Sequence, residues 1–134
     1  MIDIYDRVFG TVYRAAKGVN PNCDVQDAYT AVPSTFPLVT VLETDNSTSS
    51  HVIGTHNPEK MARVTYQIEV YSNAPDTRRS ECRQIMAAVS NALIASNFDR
   101  ELLYPTPNYA DATVYRLTAR FRTIADTNNN TYRR

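Results

Sequence analysis

The side chains with the widest chemical repertoire in this 134-residue chain are two histidines, two cysteines and a row of arginines. His51 and His56 stand five apart in a polar stretch that also holds Asp45 and Glu59, the one place where imidazole and carboxylate fall close enough in sequence to suggest a metal site. Histidines in a Ser-, Thr- and Asn-rich segment are commonly solvated, however, and the expectation is that no metal is held. Cys23 and Cys82 lack CxxC spacing and read as buried, idle thiols of a reducing compartment. Gly10, Gly18 and Gly54 are isolated, so neither a phosphate-cradling loop nor a dinucleotide fingerprint can be drawn. No GxSxG surrounds a serine, and the carboxylates are too scattered to nominate an acid and a base. The chain is therefore expected to be no enzyme, with no catalytic residues and no cofactor.

The arginines are the more informative set. Arg116, Arg120 and Arg122 share one side of an alternating segment, and Arg63, Gln67 and Glu69 share one side of another. Arginines beside tyrosines can follow a nucleic-acid backbone. They can equally pair with carboxylates across a sheet or between subunits, at roughly 0.2 to 1 kcal/mol per cross-strand pair. Basic and acidic side chains number 14 each, which argues against tight, sequence-independent nucleic-acid binding. Ion pairing with Glu69 or Glu43, within the sheet or between subunits, is the expected role. Residues 1–75 carry five basic and eight acidic side chains and residues 76–134 nine and six, so the halves are −3 and +3. That offset is compatible with head-to-tail association of copies.

The periodicities say which elements must position these groups. Ile4, Tyr5, Val8, Phe9, Val12, Tyr13 and Ala16 form the stripe of an amphipathic helix, with Gly18 placed to end it. The proline-containing stretch after it reads as a connector with at most a short strand. Leu38 to Thr44 is β-branched and apolar, a strand. RVTYQIEVYS, Arg63 to Ser72, alternates between Val64, Tyr66, Ile68, Val70 and a polar side, and pairs most simply with that strand as an antiparallel hairpin. Between them, Asp45 to Lys60 reads as a long polar loop. After Asp76, a plausible helix cap, Cys82, Ile85, Met86, Val89 and Leu93 mark one face of a second helix. A short strand near Phe98 to Tyr104 and a long one from about Ala112 to Ile124 complete the pattern. The expected fold is α+β, one domain over residues 1–124, with an antiparallel sheet of about four strands and two helices packed on one face. Residues 125–134 read as a polar, flexible C-terminal tail. MIDIYDRVFG is no signal peptide, and no window approaches the roughly 20 apolar residues of a membrane span, so synthesis in the cytoplasm is expected.

The order helix, hairpin, helix, strand, strand, with IYDRVFGTVYRA, PSTFPLVTVLETDNSTSS, YQIEVYSN running into SECRQIMAAVSNAL, an aromatic at Phe98 and PNYADATVYRLTARFR, resembles the tail terminator, or tail completion, proteins of tailed bacteriophages over about residues 2 to 124. The resemblance implies a structural virion protein. Such a protein forms a homo-oligomeric ring, six-membered, on the tail tube protein at the head-proximal end, ends tube growth and meets the head-tail connector or neck protein. DNA passes through the lumen without sequence-specific recognition. A head-side neck or head completion protein, and a non-virion regulatory module, are the alternatives. Within the ring reading, Arg63, Gln67, Glu69, Arg116, Arg120 and Arg122 are the expected subunit or tube interface. Asp45, Asn46, His51, His56, Glu59 and Lys60 belong to the expected assembly loop. Reversing Glu69 to arginine is expected to spare folding and block ring closure.

Overall fold

The computed structural model describes residues 1–29, 35–48, 61–107 and 111–133. Helix α1 (Tyr5–Val19) buries Val8, Val12 and Ala16, one side chain per turn on the expected stripe. Asp3 accepts the Tyr5 N–H at 3.0 Å, and Asp6 and Lys17 sit at the dipole ends that favour their charges. Gly18 is not the terminator. The helix runs through Val19, and Asn20 leaves it extended at φ −142° while donating its N–H to Ala16 O at 3.0 Å. The cause is Pro21, whose ring excludes the helical region for the residue before it.

Strand β1 (Asp24–Asp27) lies parallel to β2 (Leu38–Thr48), which pairs antiparallel with β3 (Met61–Ser72). Helix α2 (Arg78–Ala95), β4 (Asp99–Pro105), β5 (Tyr115–Asp126) and β6 (Thr131–Tyr132) follow. The sheet order is β1-β2-β3-β5-β4, with β6 paired to β5. The expected hairpin and the four principal strands are present. The sheet is larger than expected by β1 and β6, four and two residues long, too short for alternation to announce them. Both helices pack on the same sheet face.

Between the layers lie Tyr66, Ile68, Val70, Leu117 and Phe121 from the central strands, against Ile85, Met86, Val89 and Leu93 of α2. Fully burying each such side chain contributes about 1.5–3 kcal/mol. The Tyr66 and Phe98 rings meet edge to face, 6.3 Å between centroids. Phe98 is placed by the end of α2. Asn97 turns left-handed at φ 69°, Phe98 N–H donates to Leu93 O at 3.0 Å, and Asn97 N–H donates to Ile94 O at 3.1 Å, the paired bonds of a Schellman stop. At the other end of α2 the cap position falls on Thr77, not Asp76, and no side chain bonds the helix there.

The sheet does not stop at Ile124. β5 continues to Asp126, whose carboxylate accepts the backbone N–H of Asn128 and of Asn130, both at 2.9 Å. Asn129 takes a left-handed φ of 64°, and β6 returns to pair Thr131 with Ala125. The asparagine run that read as a tail is turn chemistry.

Candidate functional site

Register decides which side chains share the face away from the helices. Arg63, Thr65, Gln67, Glu69 and Tyr71 of β3 stand opposite Ile124, Arg122, Arg120, Thr118 and Arg116 of β5. The alternate positions, Val64 to Val70 and Leu117 to Phe121, fill the core. All six residues expected at an interface therefore lie on one surface. Glu43 does not join them. It pairs with Tyr66 on the helix side and accepts that hydroxyl at 2.8 Å, holding the Tyr66 phenol well above its usual pKa through burial first and the carboxylate second.

At one end of the face the charges are satisfied within the chain. Glu69 is 8% exposed. Its Oε1 accepts Arg116 Nη2 at 2.6 Å, Arg116 Nε at 3.1 Å and Thr118 Oγ1 at 3.0 Å, and its Oε2 accepts the Tyr71 hydroxyl at 2.7 Å. Thr106 and Thr118 hydroxyls are 2.7 Å apart, and the Arg116 guanidinium lies over the Tyr71 ring at 5.6 Å. Burial works against the charge on Arg116, but the Glu69 carboxylate outweighs it and the guanidinium pKa is raised. The Tyr71 phenol is pushed up to about 12, by burial and then by its bond to Glu69. A carboxylate so enclosed is held by about four donors, which is what a buried charge requires.

At the other end the charges are met only in part among the described residues. Arg63, Arg120 and Arg122 border a depression of about 480 Å³, with Thr65 in its floor and Asp45 and Glu101 at its rim. Among the described residues, the Nε atoms of Arg63 and Arg120 are buried without an acceptor. Each buried, unbonded donor costs about 1–3 kcal/mol when fully removed from water, less here because both residues are only partly buried. Arg122 reaches Glu101 at 3.8 Å, with side chains 28% and 34% exposed, a loose pair of about 0–1 kcal/mol. The depression is a cationic seat with room for a carboxylate, and an arginine fork is built to meet a planar anion.

The expected assembly loop begins later than its sequence suggested. Asp45 and Asn46 belong to β2, past a register shift between Glu43 and Asp45. That shift turns Asp45 to the polar face and Asn46 to the helix side, where its amide donates to Ile2 O at 2.7 Å. His51, His56, Glu59 and Lys60 lie outside the described residues. Among the described residues no group of His, Cys, Asp and Glu is arranged to hold a metal. Cys23 and Cys82 are free and buried, their thiols pushed up to about 11 and about 12, mainly by burial.

Alternation in the sequence places Thr118 and Tyr71 on this face but does not show that they, with Thr106 behind Thr118, complete the Glu69 cluster. Thr106 was missed. The same holds on the helix side, where the Tyr5 hydroxyl donates to Asp27 at 2.6 Å, across 22 residues of sequence.

The model of a family described as tail completion protein gp17 matches residues 25–128, from β1 to the turn after β5. Among solved structures, a chain from the virion of a native gene transfer agent particle superposes with a TM-score of 0.65 at 18% identity. The match covers 91% of this chain and 96% of that one, a likeness of fold over nearly its whole length. No curated protein matches the chain.

Proposed function

The chain belongs to the tail completion protein gp17 family, structural components of the phage tail and neck, and from that premise we propose that it closes the tail as a ring. In this reading six copies sit on the last ring of tail tube protein at the head-proximal end, stop tube growth and present a surface to the head-tail connector. DNA runs through the lumen with no sequence read. The family match over residues 25–128 carries the proposal. The surface is compatible with it. One sheet face is covered by the chain's own helices, and the other is flat, polar and partly buried, with Arg63, Gln67, Arg120 and Arg122 available to a neighbour. A copy-to-copy contact of this kind is heterologous and closes into a ring when its rotation permits.

The experiment is electron microscopy of particles made with and without the gene. A terminator leaves over-long tails and unattached, DNA-filled heads when it is removed. Normal-length tails beside heads that have lost their DNA would instead assign the chain to the head side of the neck. Particles indistinguishable from wild type would remove it from the joint altogether.

A further inference from the structure

Two unpaired charges of opposite sign lie at the same end of the subunit, on opposite layers. The cationic one is the depression bordered by Arg63 and Arg120, whose Nε atoms have no acceptor among the described residues. The anionic one is Asp6, exposed in the first turn of α1, with no hydrogen bond or ion pair among the described residues. The two are at the same height. The start of α1 is fixed beside the end of β2 by the Asn46 amide on Ile2 O at 2.7 Å, and beside β6 by Arg7 Nη2 on Thr131 Oγ1 at 3.3 Å. The depression is at that same end of the sheet, since Ser47 pairs with Arg63 and Thr65 with Arg122, next to the Ile124 to Tyr132 pairing.

We propose that Asp6 of one copy seats its carboxylate between Arg63 and Arg120 of the next, so that the helix layer of each subunit packs against the polar sheet face of its neighbour. The inference rests on the ring reading and names the contact that closes the ring. Front-to-back stacking without a shift along the strands brings the two groups together, and the same contact repeats at every step around a closed ring. The carboxylate meets the half-exposed guanidiniums, which have no acceptor among the described residues, in the planar geometry a guanidinium fork prefers. Arg7, the cation next to Asp6, is turned away, held on Asn129 O and Thr131. The sheet edges offer no comparable contact. β1 carries Asp24 and Asp27, and β4 carries Asp99 and Glu101 with one arginine, Arg100, between them, so edge-to-edge addition brings together more acid than base. A nucleic-acid phosphate is the weaker occupant, because Asp45 and Glu101 at the rim repel a polyanion while leaving room for one carboxylate.

The test is sedimentation of the full chain over a range of concentrations, for wild type, Asp6→Arg, Arg120→Glu and the double variant. Each single change is expected to raise the concentration of half-assembly at least tenfold, and the double variant to return within threefold of wild type. Single variants that assemble like wild type, or a double variant as impaired as the two singles added, would overturn the contact and leave the ring reading standing. A wild-type chain that stays monomeric at every concentration would overturn both. Arg120→Met guards against misfolding. It should melt close to wild type while still assembling poorly, and full assembly in that variant counts against the contact. Binding of a 20-base-pair DNA duplex is measured in parallel. Loss of DNA binding by Arg120→Glu with assembly unchanged would give the depression to phosphate instead.

Discussion

Glu69 and Arg120 stand one cross-strand pair apart on the same sheet face, Glu69 beside Thr118 and Gln67 beside Arg120, yet the two neighbourhoods have opposite characters. Around Glu69 every lone pair that matters is met by Arg116, Thr118 or Tyr71, and the carboxylate is nearly enclosed. Around Arg120 and Arg63 two donors are buried with no acceptor among the described residues, and Asp45 and Glu101 lie at the rim. The first region stabilises the subunit. The second stores an unmet demand, which a free subunit tolerates and an assembled one can satisfy. Charges on one surface thus divide by whether their partner is inside the chain, and appearance in sequence does not distinguish them.

The largest expected effect tests the first region. Glu69→Arg places a second guanidinium against Arg116 and removes the acceptor shared by Arg116, Thr118 and Tyr71, so it should lower the unfolding free energy by about 3–5 kcal/mol. Urea denaturation measures it. This replaces the expectation that the variant folds normally and fails only in assembly, because the Glu69 partner is intrachain at 2.6 Å. A loss below about 1 kcal/mol would abolish the distinction between the regions. Removing the other partner is expected to cost somewhat less. Arg116→Met leaves Glu69 with its hydroxyl donors but uncompensated in charge, at about 2–3 kcal/mol in the same assay.

A smaller effect follows from Tyr71. Its phenol is pushed up to about 12 in the folded chain, whereas an unfolded tyrosine titrates near about 10. The folded pKa is the higher one, so its contribution is complete below about pH 10 and is lost as pH rises towards about 12. Tyr71→Phe should cost about 1 kcal/mol at neutral pH, discounted for the ring's partial exposure, and should flatten the stability curve across that window. Cys23 and Cys82 also lose stability in alkali, but equally in both proteins, so the difference between the two curves isolates Tyr71. The smallest effect belongs to the second region. Arg120→Met or Arg63→Met should change the stability of the free subunit by no more than about 0.5 kcal/mol, in either direction, because no bond among the described residues is lost and a buried donor without an acceptor there is removed. A loss of about 2 kcal/mol in either variant would mean that the depression is satisfied after all.

Much of the fold was legible because its signals are periodic. Val64 to Val70 and Leu117 to Phe121 alternate, and Cys82 to Leu93 repeats at helical spacing, so each element announced both its type and its buried side. Short elements carry no period, which is why the region of β1 read as a connector with at most a short strand, β6 was missed and the asparagines before Thr131 read as a tail. Local chemistry also misled where two signals competed. Gly18 looked like a helix stop, but Pro21 acting on Asn20 sets the end two residues later.

The sequence by itself determined which residues face away from the core, since alternation is a property of each strand alone and needs no partner. It therefore delivered Arg63, Gln67, Glu69, Arg116, Arg120 and Arg122 as one set. Only the tertiary structure decided what each of them meets. Pairing register places Arg116 diagonally beside Glu69 and Arg120 beside neutral Gln67, while the register shift after Glu43 turns Asp45 to the polar face, at the rim of the depression, and Asn46 to the helix side. A one-residue difference in register moves a side chain to the other face, and a two-residue difference exchanges one partner for the next. No pattern within a single strand records that choice, because it is made by the packing of the whole sheet.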